Sequence, residues 1–130
     1  MRAGFDGQMA TARVLIVDDD EGIRVSFPRL LRRTRYEVLV AESAEAALDL
    51  LAAQAVDVIV SDCQMPGMRG PELLARVRSL YPTVACILLS GELGPTDAEP
   101  HPYTTLLKPT SLAELTQTIA KSLLDRRVGS

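Results

Sequence analysis

Five short runs of branched and apolar residues punctuate the chain, at residues 14–17, 36–41, 56–61, 84–89 and 104–107. Between them the apolar positions fall at helical spacing. The runs are continuous rather than alternating, which suits strands covered on both faces, as in a parallel sheet. The pattern predicts five strands joined by right-handed crossovers, with four or five helices.

The helix starts carry their own chemistry. In "ESAEAALDLL", Ser43 is placed to cap an alanine- and leucine-rich helix. In "RGPELLARVRSL", Pro71 stands where a first helical residue belongs, and Glu72 suits the positive end of the helix. In "TSLAELTQTIAKSLL", Ser111 and Glu114 have capping-box spacing, and Leu112, Leu115, Ile119 and Leu123 share one face. The first helix, from about residue 20 to 33, contains Pro28, which removes a backbone bond and predicts a kink. The fourth connection, "GELGPTDAEPHPY", holds three prolines and two glycines, so a fourth helix is expected to be short or absent.

Composition narrows the class. A chain of 130 residues with 47% apolar content supports one domain with a real core. Residues 1–12 lack a hydrophobic period and read as a flexible tail, 13–126 as the domain, and 127–130 as a C-terminal tail. The net charge of −3 argues against direct nucleic-acid binding or an anionic membrane surface. No run is long enough to span a membrane, and no signal-peptide pattern opens the chain; a cytoplasmic protein is expected. Cys63 and Cys86 read as reduced thiols packed in the interior. The arginines at 29, 32, 33 and 35 suit the negative end of the first helix. His101, between prolines, reads as a solvated loop residue.

In open parallel sheets, ligands bind beyond the carboxyl ends of the strands. Strand one ends at Asp18, Asp19 and Asp20, strand three at Asp62, strand four at Ser90, and strand five at Lys108. The sheet would bring these distant residues to one rim. Two carboxylates about 5 Å apart repel by about 3 kcal/mol at an effective dielectric of about 20. Such a cluster needs a proton, a cationic side chain or a metal. Oxygen ligands with open positions suit Mg²⁺. A hydroxyl, an ammonium and a metal around one carboxylate would trap a transferred phosphoryl group.

"VLIVDDDEGIR", "VIVSDCQMPGMRGPELL", "ILLSGE" and "LLKP", taken in order, resemble the signature blocks of bacterial response-regulator receiver domains, from about residue 13 to 125. The resemblance implies a doubly wound α/β fold with flavodoxin-like strand order 2-1-3-4-5. It implies that Asp62 is the phosphoacceptor and that Asp19 ligates Mg²⁺ directly, with Asp18 acting through water. It further implies Mg²⁺ ligation by Asp62 and by the backbone carbonyl of Gln64, a phosphoryl-binding hydroxyl at Ser90 and a counter-ion at Lys108. Pro109 matches a residue preceded by a cis peptide bond in the family, which would aim Lys108 inward. Asp20, beyond the pair, reads as the cap of the first helix.

The implied function is a phosphoacceptor in a two-component system, loaded by a sensor histidine kinase or phosphotransfer protein and acting on an unknown output domain or protein. It is not an enzyme beyond assisting its own phosphorylation and dephosphorylation. Two departures bear on readout. The family usually has Tyr or Phe where Thr105 stands, and the stretch from Ser90 to Lys108 is shorter than usual by about one helical turn. These favour, as the alternative, an interaction module that does not respond to phosphorylation. A phosphatase with an aspartyl-phosphate intermediate is the third reading, but it leaves "SDCQMPG" without a role.

Overall fold

A computed structural model describes residues 11–31, 33–91, 103–108 and 110–129. The elements are β1 (Arg13–Val17), α1 (Glu21–Leu31), β2 (Glu37–Ala41), α2 (Ala44–Ala53), β3 (Val58–Asp62), α3 (Gly70–Leu80), β4 (Ala85–Ser90), β5 (Thr104–Leu107) and α4 (Leu112–Gly129). The strands form one parallel sheet in the order β2-β1-β3-β4-β5. That is the order the resemblance implies.

Alternate residues of the central strands enter two separate cores. Leu15, Val17, Ile59 and Leu88 face α2 and α3, packing with Ala47, Leu51, Leu73 and Val77. Val14, Ile16, Val60, Ile87 and Leu89 face α1 and α4, packing with Leu31, Leu115 and Ile119. Both faces are therefore dry, which explains why the strands read as continuous apolar runs. The β1–β3 register pairs Val17 with Ser61, and the β3–β4 register pairs Asp62 with Leu89. All carboxyl ends consequently open on one rim.

Local chemistry accounts for most helix boundaries. The Ser43 hydroxyl accepts from the Ala46 N–H at 3.1 Å. The Ser111 hydroxyl accepts from the Glu114 N–H at 3.0 Å, and Glu114 Oε1 accepts from the Ser111 N–H at 3.4 Å, completing the capping box. At α3 the cap is Arg69, so Gly70 precedes Pro71 in the first turn. The helix α1 runs through Pro28 to Leu31. Pro28 has no N–H for the Arg24 carbonyl four residues back. Packing of Ile23, Phe27 and Leu31 on the core carries the helix across that gap.

The last helix is long. Helix α4 continues to Gly129, so the backbone of residues 127–129 is helical. No proline or earlier glycine stops it after residue 126. The remaining segment expectations, a flexible tail at 1–12 apart from its last two residues, a short or absent fourth helix in 92–102 and a cis bond before Pro109, lie outside the described residues.

Candidate functional site

Asp18 follows β1 directly and is 1% exposed. Its N–H donates to the Ala41 carbonyl at 3.1 Å, extending the β1–β2 ladder by one residue. Its carbonyl accepts from Arg24 Nη1 at 3.0 Å, and its Oδ1 accepts from the Asp20 N–H at 2.9 Å. The other carboxylate oxygen, Oδ2, is buried with no hydrogen-bond donor among the described residues. Asp19 is exposed at the mouth. Asp20 turns away to α1, where its Oδ1 accepts from Gly22 N at 2.7 Å and Ile23 N at 3.4 Å. The triplet thus divides into a buried carboxylate, an exposed one and a helix cap.

Asp62 is the last residue of β3 and is nearly buried. Lys108 Nζ donates to Asp62 Oδ1 at 2.6 Å and lies 3.8 Å from Asp18 Oδ2. The lysine is held in place from behind, since its N–H donates to the Ser90 carbonyl at 2.7 Å. Ser90 ends β4 and is buried. Gln64, two residues past Asp62, is exposed in the β3–α3 loop. In that loop Gly67 has φ of 78°, a conformation glycine adopts without strain.

Electrostatics follow from this burial. Desolvation pushes the Asp18 carboxyl above the usual aspartate range. The Asp20 N–H and the Lys108 ammonium pull it down, but the charges of Asp62 and Asp19 add to the upward shift. At Lys108, burial works against the ammonium. The hydrogen bond and charge of Asp62, with the charges of Asp18 and Asp20, outweigh it and hold the lysine above its usual range.

One oxygen each from Asp18, Asp19 and Asp62 lies within 4.8 Å of the others. Three carboxylates, one with a buried oxygen lacking a donor, face a single ammonium. That donor set fits a hard divalent cation taking few carboxylates and retaining water. Ser90 stands at the same sheet edge as Lys108, joined to it through the β4–β5 ladder.

Two residues at the site carry no recognisable motif of their own. Arg24 pins the Asp18 carbonyl. Gly70 lets α3 press on the end of β3, where an added Cβ would lie 2.2 Å from the Asp62 carbonyl oxygen. The glycine in "RGPELL" was visible in the sequence, but its close approach to Asp62 exists only in three dimensions.

The architecture and rim define an open α/β protein with acidic side chains and a paired lysine at the carboxyl ends of its strands. The family profile described as "Response regulator receiver domain" matches residues 14–120, and the chain belongs to that family. The response regulator protein FleR of Pseudomonas aeruginosa is 39% identical over 80 residues, covering 62% of this chain and 17% of FleR. Several curated relatives are similarly long, and this chain spans 13–18% of their length. Among solved structures, the signal receiver domain of an HD domain-containing protein from Pseudomonas fluorescens matches with a TM-score of 0.84 and 32% identity, over 92% of this chain and 99% of that one. The response regulator protein TrrA of Thermotoga maritima, solved with Mg²⁺-BeF, matches with a TM-score of 0.78 and 27% identity, over 87% and 100% of the two chains. The protein is thus a receiver domain of the two-component signalling class, whose members are phosphoacceptors.

Proposed function

We propose that Asp62 accepts a phosphoryl group from a phosphohistidine of a sensor kinase or phosphotransfer protein. The carrying observation is the 2.6 Å contact of Lys108 with Asp62 beside Asp18 Oδ2, which has no donor among the described residues. An Asp62 carboxylate oxygen attacks phosphorus, an O–P bond forms, and the N–P bond breaks with its electron pair returning to the imidazole. Lys108 moves from the carboxylate to the phosphoryl oxygens, and the Ser90 hydroxyl donates to another of them. Asp18, Asp19, Asp62 and the Gln64 carbonyl would hold Mg²⁺, which supplies neutralisation of phosphoryl charge. The likeness to a receiver solved with Mg²⁺-BeF supports that assignment.

The domain occupies residues 13–126 in this reading and acts by changing its affinity for an output partner, without turnover of a separate substrate. It works in the cytoplasm; no helix among the described residues is long and apolar enough to cross a membrane. Incubation with Mg²⁺ and acetyl phosphate should give a hydroxylamine-labile phosphoryl adduct by intact mass. The adduct should be absent in Asp62→Asn; an equal adduct in that variant refutes the assignment.

One observation favours a second reading. Thr105, half-buried on β5, has no ring to exchange between buried and exposed positions. A module that binds its partner irrespective of phosphate would have this feature, and the two readings separate in the spectroscopic comparison described below.

A further inference from the structure

We infer that Arg24 is a positioning residue for the cation site, acting through the backbone of Asp18. The inference rests on the Mg²⁺ reading above. Asp18 is fixed at three points. Its N–H is held by the Ala41 carbonyl, its Oδ1 by the Asp20 N–H, and its carbonyl by Arg24 Nη1 at 3.0 Å. With those three satisfied, Oδ2, the buried oxygen that faces the lysine and the other carboxylates, is the polar atom of Asp18 left without a hydrogen bond among the described residues. The first two restraints come from backbone groups, which side-chain changes other than to proline leave in place. Arg24 supplies the third from a side chain that is no member of the acidic set.

The position of Arg24 in α1 makes this bond matter. Its N–H donates to the Asp20 carbonyl at 3.1 Å, in the first turn capped by Asp20. Its own carbonyl is the one that Pro28 leaves without a helical donor. The guanidinium therefore ties the weakened first half of α1 to the strand end that carries the buried carboxylate. Without it, the carbonyl of the peptide between Asp18 and Asp19 loses that restraint, and the bonds to Ala41 and Asp20 alone hold Asp18.

Charge and geometry make opposite predictions. Removing a positive charge from the strand end that carries Asp18 should tighten binding of a divalent ion if charge alone mattered. Losing the restraint should weaken it. A charged donor's hydrogen bond contributes about 1 kcal/mol or more, which corresponds to about a fivefold loss of affinity.

The test is Mg²⁺ titration of the metal-free full chain by calorimetry, alongside thermal unfolding in chelator. Arg24→Met keeps the aliphatic stem and drops the donors. It should weaken Mg²⁺ binding about fivefold, while Arg24→Lys, which retains a donor, should recover most of the loss. A purely structural role would lower the unfolding temperature of Arg24→Met and leave the affinity of the folded protein unchanged. Affinity equal to or tighter than wild type overturns the inference. If wild type itself binds no Mg²⁺, the cation reading falls and this inference with it. Should Arg24→Met not fold, Arg24→Gln replaces it with the same opposing outcomes.

Discussion

Asp18 is the residue whose local cost is most plainly written in its surroundings. It is buried, one of its oxygens has no donor among the described residues, and two further carboxylates lie close by. Its carboxyl is held above the usual range, so ionisation at neutral pH opposes folding, and that opposition disappears as pH falls through the raised value. Asp18→Asn should therefore stabilise the chelator-treated protein at pH 7 by about 1 kcal/mol, the size of one unsatisfied buried acceptor. The gain should shrink in acid, where wild type becomes protonated, and the same variant should lose Mg²⁺ binding. Urea unfolding at several pH values checks the sign. Lys108 runs the other way. Its raised value means that its contribution to stability is present at neutral pH and is lost only above the ordinary lysine range. The sequence made the triplet legible as a cluster and Asp20 legible as a cap. It could not show that Asp18 lies buried and Asp19 exposed, because that difference depends on the β1–β2 ladder extending one residue beyond Val17.

At the level of elements, the site depends on how closely α3 abuts β3. The Gly70 N–H donates to the Cys63 carbonyl at 3.0 Å, and the glycine's missing side chain leaves room for the Asp62 carbonyl. Gly70→Ala would drive a Cβ into backbone rather than into a flexible side chain, so the start of α3 must shift. The expected cost is about 1–3 kcal/mol by urea unfolding. Phosphorylation from acetyl phosphate should slow as well, because the displaced peptide carries Asp62; an unchanged rate would show that the loop absorbs the shift. Helix starts were readable in advance wherever a side chain caps them, as at Ser43 and Ser111. The start of α3 was off by one residue because Arg69 offers no side-chain cap and Pro71 is tolerated in either of the first two helical positions. At the end of α4, weak stop signals left the boundary to be set by the backbone alone.

Across the whole molecule, the two-sided burial of the sheet made the strand runs legible. The strand order came from resemblance, because periodicity says which residues are buried and nothing about which strand lies beside which. The site's long-range coupling was likewise hidden. The Lys108 N–H bonds the Ser90 carbonyl, and the ladder continues through Leu89–Leu106 and Leu88–Thr105. A phosphate mimic that engages Ser90 and Lys108 pulls on both strands together. Backbone amide NMR with and without beryllofluoride should therefore show shifts at Gly91 and along Thr104–Leu107 as well as around Asp62. Shifts confined to the neighbourhood of Asp62 would favour the module that ignores phosphate. The same ladder has a consequence for protein engineering. The parallel pairing of Ser90 with Leu107 sets the distance between Ser90 and Lys108, whatever the length of the fourth connection, which must return along the sheet to enter β5 at Thr104, beside Ile87. Doubling a flexible loop adds only about 0.6 kcal/mol of closure cost. A longer fourth connection should therefore leave the Ser90–Lys108 pairing, and with it the rate of phosphorylation from acetyl phosphate, unchanged.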